Sequence, residues 1–379
     1  MPEAVSTASH LMNNYGVRTV EMVRGEGVYL FDSNGKQYLD YVAGIAVCSL
    51  GHAHPAITKT ISDQAATLIH CSNYYEIPQQ KSLSSKLAAL SGLDKAFFCN
   101  SGTEANEAAI KLARKYAASK GEEQRVEIVS LPNAFHGRTL GSLSITPKAA
   151  YQAGYQPLLP GAHTPGNLTD VPSAITEKTA ACFVEIIQGE GGVRPVDEAM
   201  LRAIDARCKE VGALLVVDEV QTGVGRTGDF YAYSAIGITP DIVTMAKGLG
   251  AGVPIGAVLA REEVAAAWTP GSHGSTFGGN PLATSVANTV VDIVSAPSFL
   301  EHVRDTGRYL EEALRQIGTE VTGRGLMWGF TVDNAKEYVA NALQKGVLLS
   351  AVGESRVRLV PSLILEKKHV DELVERLSR

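Results

Sequence analysis

Two kinds of hydrophobic pattern alternate along the middle of this chain. Segments such as HPAITKTISDQAATLIH and GTEANEAAIKLARKYAASKG repeat apolar residues every three to four positions, which predicts amphipathic helices. Between such segments stand short apolar runs without polar alternation: KAFFC, VEIVSL, AACFVEII, ALLVVDEV, DIVTMA and IGAVLA. Continuous apolar runs are typical of strands buried on both faces, as in a mostly parallel sheet that is covered by helices.

The two ends of the chain carry a different pattern. Residues 26–47 read as short strands around Asn34-Gly35, a dipeptide that is typical of hairpin turns. After residue 281 helical spacing returns, followed by the strand-like runs GLMWGFTV and RVRLVPSLIL. We therefore predict an α/β protein with a large, mostly parallel sheet domain over residues 55–280. A smaller α+β domain would be assembled from residues 1–54 and 281–379.

Composition and charge narrow the classes of function. The 379 residues carry a net charge of −6, so no basic field is available to attract nucleic acid. No window approaches the ~18–20 apolar residues of a membrane helix, and the N-terminus does not resemble a signal peptide. The five cysteines form no C-x-x-C pair and their number is odd. We expect a cytoplasmic protein without a metal site, a nucleic-acid partner or a membrane partner.

The first candidate site follows the strand-like run KAFFC. Asn100-Ser101-Gly102-Thr103 leads directly into a predicted helix, where Ser101 or Thr103 can cap the first turn and Glu104 suits its positive end. One interpretation is a well-capped surface helix. The other is a phosphate site, because free N–H groups, hydroxyls and the helix dipole converge at such a terminus.

The run ALLVVDEVQTGVGRTG offers two misleading motifs and one useful residue. An apolar strand that ends in Asp218-Glu219 resembles an ATPase motif, but no G-x-x-x-x-G-K-[ST] loop occurs in the chain. The glycines of residues 223–228 match a dinucleotide fingerprint, yet they open no helix, which argues against hydride transfer. Asp218 remains, and a carboxylate at the end of a buried strand needs a positive partner.

Lys247 ends the next apolar run and is followed by glycines. Alone it would be read as a strand-end lysine that extends to water, whereas a buried lysine has a lowered pKa and becomes a nucleophilic amine. Asp218 and the helix terminus at Gly102 favour the second interpretation, a buried nucleophilic lysine. A lysine for a covalent link, a carboxylate for a ring nitrogen and a helix terminus for a phosphate are what pyridoxal phosphate requires of a protein.

Seven ordered motifs then identify a resemblance over nearly the whole chain: GIAVCSLGHAHP, NSGTEANEAAIKLAR, AFHGRT, IQGEGGV, VVDEVQTGVGRTG, DIVTMAKGLGAGVPIGA and GSHGSTFGGNPLA. The chain resembles the class III aminotransferases, which have the fold-type I (aspartate aminotransferase-like) architecture and use pyridoxal 5'-phosphate. Within this family it is most similar to the branch that acts on acetylornithine. In this family a hydroxyl of the neighbouring subunit completes the phosphate site, so the resemblance implies a homodimer with active sites shared across the interface.

The resemblance implies a cofactor role for nine positions. Lys247 would carry the cofactor and move the proton, and Asp218 would pair with the ring nitrogen. The remaining positions are contacts: Gln221 near the phenolic oxygen, Val220 and Phe135 on the two ring faces, Ser101, Gly102 and Thr103 at the phosphate, and Thr276 at the partner's phosphate.

Four further positions are expected to contact substrates. Arg138 would bind the α-carboxylate, because a guanidinium suits a carboxylate in a bidentate manner. Glu190 and Arg358 match a pair that opens so that the arginine can hold 2-oxoglutarate. Ser275 would lie near the substrate.

The implied reaction moves the δ-amino group of N2-acetylornithine to 2-oxoglutarate in two half-reactions. It yields N-acetylglutamate 5-semialdehyde and glutamate, a step of arginine biosynthesis. Ile45 favours this substrate, since ornithine aminotransferases tend to have an aromatic residue there. Succinyldiaminopimelate, ornithine and 4-aminobutyrate stay open as alternative amines, and Tyr15 and Arg18 stay open as substrate contacts. A non-catalytic relative would be expected to lack Lys247 or Asp218, and an aminomutase would not need the Glu190–Arg358 pair.

Overall fold

A computed structural model describes residues 10–16 and 18–378 of the chain. The strands, in chain order, are β1 (Met22–Glu26), β2 (Tyr29–Asp32), β3 (Gln37–Asp40), β4 (Lys95–Cys99), β5 (Glu127–Ser130), β6 (Ala162–His163), β7 (Thr179–Val184), β8 (Ile187–Gln188), β9 (Arg194–Pro195), β10 (Leu214–Asp218), β11 (Ile242–Met245), β12 (Gly256–Ala260), β13 (Thr319–Arg324), β14 (Met327–Thr331), β15 (Val347–Leu348), β16 (Ser350–Val352) and β17 (Arg356–Leu359).

The helices, in the same order, are α1 (Ala43–Ala46), α2 (Pro55–Thr67), α3 (Pro78–Ser91), α4 (Gly102–Ser119), α5 (Leu140–Ser144), α6 (Ala149–Gln152), α7 (Val171–Ala174), α8 (Glu198–Val211), α9 (Glu262–Ala265), α10 (Pro281–Val294), α11 (Pro297–Ile317), α12 (Ala335–Gln344) and α13 (Lys367–Ser378). Short 3₁₀ turns cover Leu168–Asp170, Ala232–Ala235 and Lys247–Gly250. None of the helices in the described part of the chain is long and apolar enough to cross a membrane.

The central element is a seven-stranded sheet in the order β4-β12-β11-β10-β7-β5-β6. All its pairings are parallel except those of β12, which runs antiparallel to both β11 and β4. Every residue of β7, β10, β11 and β12 is buried, as their continuous apolar sequences predict. The mostly parallel large sheet inferred from the sequence is therefore confirmed.

Helices cover both faces of this sheet because the side chains of each strand alternate between two apolar cores. On β10, Leu214 and Val216 face the core that contains the apolar residues of α4, whereas Leu215 and Val217 face the core that contains those of α8. The small residues along α4, most of them alanines, let that helix approach the strands closely.

The two ends of the chain meet in smaller sheets. The predicted hairpin forms between β2 and β3, and Gly35 in its turn has φ +82°, where a glycine carries no steric penalty. The late strand β15 adds to β3 in parallel, with Val347 opposite Leu39. The C-terminal strands form a separate antiparallel sheet in the order β13-β14-β17-β16. Strands from both ends thus share one of these sheets, while the smaller α+β domain and its boundaries at 54/55 and 280/281 remain predictions.

Candidate active site

A cavity of about 400 Å³ lies where β4, β10 and β11 end and α4 begins. In parallel strands the carboxyl ends share one edge, and the loops that follow them converge there. Asp218 on β10 lies opposite Thr244 on β11, so Lys247 follows only a few residues beyond that level. Nine of the predicted residues line the cavity: Ser101, Gly102, Thr103, Phe135, Arg138, Asp218, Val220, Gln221 and Lys247.

Asp218 is 4 % exposed and is held by three hydrogen bonds. Its Oδ2 accepts one from His136 Nδ1 (2.7 Å) and one from Asn106 Nδ2 (2.8 Å), and its Oδ1 accepts one from the Val220 amide (2.9 Å). Asn106 is itself oriented by the Thr244 hydroxyl, which donates to Asn106 Oδ1 at 2.8 Å. This network holds the carboxylate in one orientation toward the cavity.

Electrostatics keep Asp218 ionised. Burial alone would raise the pKa of Asp218, but the hydrogen bonds and charge of His136, with those of Val220 and Asn106, lower it below its usual value. Burial lowers the pKa of His136, and the Asp218 carboxylate outweighs that effect and raises it. The two groups stabilise each other as an ion pair, so Asp218 offers a fixed negative charge to a ligand in the cavity.

Lys247 begins the 3₁₀ turn Lys247–Gly250 with φ +45°, a backbone conformation that is rare for a residue with a side chain. Non-glycine residues held in this region cost about 1–3 kcal/mol and cluster at functional sites. Burial lowers the pKa of Lys247, while the Asp218 carboxylate acts in the opposite direction. The result is an amine that is more readily deprotonated than an exposed lysine, and therefore a better nucleophile and base.

The N-terminus of α4 forms one wall of the cavity. Ser101 caps the helix by accepting a hydrogen bond from the Glu104 amide at 3.3 Å. A Cβ atom added to Gly102 would lie 2.6 Å from Val220 Cγ1, so only glycine lets the helix start this close to the β10 end. Thr103 Oγ1 is 2.7 Å from Thr139 Oγ1. The amides of a helix start together with such hydroxyls are groups that can bind an anion.

Phe135 and Arg138 stand on the opposite side, in the segment that leads to α5. The Phe135 amide donates to Glu185 Oε2 at 3.1 Å, which fixes the start of this segment. The Arg138 guanidinium stacks on Tyr151, with its Cζ 3.5 Å from the ring centroid. Arg138 is exposed and no described residue hydrogen-bonds its guanidinium, so that edge can meet a carboxylate at the cavity mouth.

Glu190 and Arg358 form a salt bridge beside the cavity. Arg358 on β17 contacts Glu190 Oε1, and its Nη1 is also 3.5 Å from Gln221 Oε1 in the cavity wall. Arg358 Nε donates to Ser350 Oγ at 3.2 Å. Burial raises and Arg358 lowers the pKa of Glu190, with a net decrease. The pair joins the C-terminal sheet to the loop between β8 and β9.

Ser275 and Thr276, like Glu190 and Arg358, are predicted site residues that lie outside the cavity lining. Ser275 accepts hydrogen bonds from Asn100 Nδ2 (3.2 Å) and the Gly278 amide (3.0 Å), behind the β4 end. Thr276 next to it is exposed. The roles predicted for Ser275 and Thr276 stay predictions.

Three residues weighed for the substrate lie near the surface. Arg18 is exposed, with its Cζ 5.4 Å from the ring centroid of exposed Tyr15, and neither lines the cavity. Ile45 is 43 % exposed in a left-handed turn (φ +65°), and Val47 lines the cavity in its place.

Sequence reasoning missed three residues of the site. His136 and Asn106 bond Asp218, and Glu185 lies in the cavity wall with a pKa that burial raises to about 7. His136 is adjacent to predicted Phe135, and Asn106 follows Thr103 by three positions, almost one helical turn. That spacing could have indicated both, whereas Glu185 follows a buried strand without any comparable signal.

The donor set fits pyridoxal phosphate. An anion site, a buried carboxylate and an amine of lowered pKa surround one cavity. Val220 and Phe135 offer apolar surfaces in its walls. Such a set suits a flat, positively charged heterocycle that carries a phosphate and an aldehyde.

Comparison with known sequences places these features in context. The family model described as "Aminotransferase class-III" matches residues 11–379. The chain is 50 % identical over 372 residues to the acetylornithine aminotransferase of Aquifex aeolicus, a match that covers 97 % of this chain and 98 % of that protein. It is 47 % identical to the acetylornithine aminotransferase of Methanocaldococcus jannaschii, covering 96 % and 94 % of the two chains.

Solved structures agree with the fold. The ornithine aminotransferase of Toxoplasma gondii superposes with a TM-score of 0.91 at 30 % identity, covering 97 % of this chain and 91 % of that one. The N-acetylornithine aminotransferase of Stenotrophomonas maltophilia superposes with a TM-score of 0.84 at 34 % identity, covering 96 % of each chain. The predicted fold class is thereby confirmed.

Proposed function

We propose that this chain, which belongs to the class III aminotransferases, moves the δ-amino group of N2-acetylornithine to 2-oxoglutarate. The observation that carries the proposal is the arrangement of Lys247, Asp218 and Arg138 around one cavity. Its support on the substrate side is the name shared by relatives that are 40–50 % identical over nearly the full chain. Succinyldiaminopimelate, ornithine and 4-aminobutyrate are the alternative amines.

The residues that would hold pyridoxal 5'-phosphate are those of the cavity wall. Ser101, Gly102 and Thr103 would bind its phosphate, and Val220 and Phe135 would contact its ring. Gln221 would meet its phenolic oxygen. When bound, this cofactor supplies an aldehyde that links to amines and a ring that stabilises negative charge on the neighbouring carbon.

Lys247 and Asp218 perform the two chemical tasks of the protein. Asp218, ionised and fixed by His136 and Asn106, would accept a hydrogen bond from the protonated ring nitrogen and keep the proton there. Lys247 Nζ would give up its link to the cofactor when the substrate amine arrives. It would then carry the proton removed from the substrate carbon. Its lowered pKa suits an amine that must be deprotonated to act as a base.

Arg138 and the Glu190–Arg358 pair would select the substrates. A carboxylate bound to Arg138 at the cavity mouth leaves only the far end of a long substrate to reach Lys247, which explains reaction at a δ-amine. Arg358 would leave Glu190 to bind a carboxylate of 2-oxoglutarate. One cavity would thereby accept a long ω-amine and a diacid in turn.

The selectivity can be measured with a panel of amines and 2-oxoglutarate. We expect kcat/KM for N2-acetylornithine to exceed that for 4-aminobutyrate by about 10- to 100-fold, because the shorter molecule cannot bring its carboxylate to Arg138 and loses a charged hydrogen bond. Ornithine should also be poorer, since its charged α-amine would lie near the Arg138 cation. Faster turnover of 4-aminobutyrate or ornithine would contradict the assignment.

A homodimer with shared sites is part of the proposal. Thr276 and its neighbour Phe277 are exposed, and Phe277 packs on His70 with ring centroids 5.6 Å apart. Several large apolar side chains in the segment next to His70 are also exposed: Leu68, Ile69, Tyr74 and Tyr75. Exposed apolar side chains of this kind support an interface with a second copy, which would bring Thr276 to the partner's phosphate site.

Mixed dimers test this sharing. Co-expression of Lys247→Ala and Thr276→Ala chains should regain activity, because hybrids contain one site with wild-type residues at both positions. Random pairing predicts about a quarter of the wild-type activity. Separately purified variants, mixed without exchange of subunits, serve as the control. If co-expression yields no more than the sum of the two single variants, Thr276 belongs to the same site as the Lys247 of its own chain.

The state of the cysteines supports the proposal of a cytoplasmic location. All five cysteines are free in the structure, and three of them are buried as small apolar side chains: Cys99, Cys182 and Cys208. Unpaired thiols are usual in proteins of a reducing compartment.

A further inference from the structure

When the Glu190–Arg358 salt bridge opens, the Glu190 carboxylate loses its counter-ion. Glu190 has a side chain that is only 22 % exposed, and in the closed pair Arg358 is its counter-ion. When Arg358 turns to a substrate carboxylate, Glu190 keeps its charge and loses that partner. A mostly buried charge without a partner is disfavoured, so a second counter-ion for Glu190 would favour the opened pair.

The backbone of the Glu190 loop is fixed from the C-terminal sheet. Arg356 Nε donates to the Gly192 carbonyl at 2.9 Å, and the Thr322 hydroxyl donates to the Val193 carbonyl at 2.6 Å. Arg356 is 5 % exposed and is itself bound by three further groups of that sheet. A loop held in this way does not carry Glu190 to a new place, so its carboxylate must move by rotation of the side chain.

Lys148 is close enough for the Glu190 carboxylate to meet it when the Glu190 side chain rotates. It directly precedes α6, and its Nζ donates to the Glu190 carbonyl oxygen at 2.8 Å. The ammonium has three donors and this bond uses one of them. Burial lowers the pKa of Lys148, and the nearby Glu190 carboxylate opposes this effect, in keeping with a cation close to that side chain.

We propose that Lys148 is the second counter-ion of Glu190, to which the carboxylate turns when Arg358 binds the diacid. The proposal rests on the function proposed above, in which Arg358 alternates between Glu190 and 2-oxoglutarate. Lys148 contacts neither substrate in this account and acts through Glu190, as a positioning residue. It lowers the cost of opening the pair, so it favours the diacid over the amine.

The consequence is a selective effect on one of the two substrates. The amine donor binds while Glu190 and Arg358 remain paired, and it does not require Lys148. The diacid binds only to the opened pair. Loss of Lys148 should therefore weaken binding of a diacid and leave binding of N2-acetylornithine unchanged or slightly stronger.

Binding of glutarate to the holoenzyme, measured by calorimetry, tests this directly because glutarate is a five-carbon diacid that cannot react. Lys148→Met and Lys148→Gln should each raise the Kd for glutarate and the KM for 2-oxoglutarate by about tenfold, the effect of one lost charged hydrogen bond. The KM for N2-acetylornithine should stay within about twofold. Lys148→Arg, which keeps a cation of similar reach, should restore both diacid constants.

Lys178→Met is the matched control, since Lys178 is an exposed lysine outside the cavity wall. Equal increases in the KM of both substrates would indicate a merely structural role for Lys148 and would overturn the proposal. Unchanged glutarate affinity in both Lys148 variants would also overturn it. A wild-type protein that binds no glutarate would instead contradict the proposed 2-oxoglutarate site, so the two failures are distinguishable.

Discussion

Replacing Lys247 by alanine will abolish transamination between N2-acetylornithine and 2-oxoglutarate, with kcat lowered by about 10⁴-fold or more. The reason lies in the position of Lys247 directly after β11, in the wall of the cavity that Asp218 and the α4 terminus also line. Burial lowers its pKa, so its amine can act both as the nucleophile that holds the cofactor and as the base. Alanine removes both capacities while the cavity stays in place.

Lys247→Arg is the matched control for charge. A guanidinium keeps the positive charge near Asp218, but it does not deprotonate in proteins and therefore cannot serve as nucleophile or base. We expect it to be as inactive as Lys247→Ala. Steady-state turnover and the visible absorbance of the purified proteins report the two capacities separately. A Lys247→Arg protein with wild-type turnover would mean that charge, and not amine chemistry, is what the position contributes.

The central sheet could be predicted from the sequence because burial on both faces leaves a continuous apolar run. The same reasoning placed Asp218 and Lys247 together, since β10 and β11 are adjacent, parallel and in a register that brings Asp218 opposite Thr244. A strand end is a position that sequence reveals well. Asp218 and Lys247 both lie at or just beyond strand ends, so the sequence alone is sufficient to predict them.

The direction of β12 was not predicted, although a signal existed. A parallel crossover needs about a dozen residues or more, usually with a helix. The connection between β11 and β12 covers only residues 246–255, and these contain the Lys247 turn and no helix longer than that. The short link therefore indicates an antiparallel strand.

Contacts between distant segments explain what the sequence did not reveal. His136 lies 82 positions from Asp218 and Asn106 lies 112 positions away, so their local spacing can place them near the site but cannot reveal that they bond Asp218. Lys148 and Glu190 present the same difficulty, because their bond joins a side chain to a backbone carbonyl. For Thr276 and Ser275 the roles stay predictions.

Removing the carboxylate of Asp218 should have the second large effect. Asp218→Asn keeps the shape of the side chain but removes the charge that would hold a proton on the ring nitrogen. Loss of one member of a buried ion pair costs about 3–5 kcal/mol, which corresponds to about 10²–10⁴-fold in rate if it is felt in the transition state. We expect kcat to fall by that factor, and the KM for N2-acetylornithine to change little because Arg138 is untouched.

The hydrogen-bond donors around Asp218 do not suit an asparagine side chain. Both His136 and Asn106 donate to Oδ2, and the Val220 amide donates to Oδ1. An amide group must therefore direct its NH₂ at one of these donors, which reduces stability as well as activity. Asp205→Asn supplies the matched control, because Asp205 on α8 is also buried and bonds Lys209 outside the site. It should lower the melting temperature without reducing kcat.

A chemical rescue separates charge from stability. Asp218→Ala, reconstituted with a cofactor analogue whose ring nitrogen is methylated and permanently positive, should recover a large part of the lost kcat. The alanine leaves room for the added methyl group, and the analogue does not need a carboxylate to keep its charge. Recovery would show that the role of Asp218 is to keep a proton on the ring nitrogen. Equal inactivity with both cofactors, in a variant that remains folded, would mean that Asp218 acts mainly by orienting His136 and Asn106.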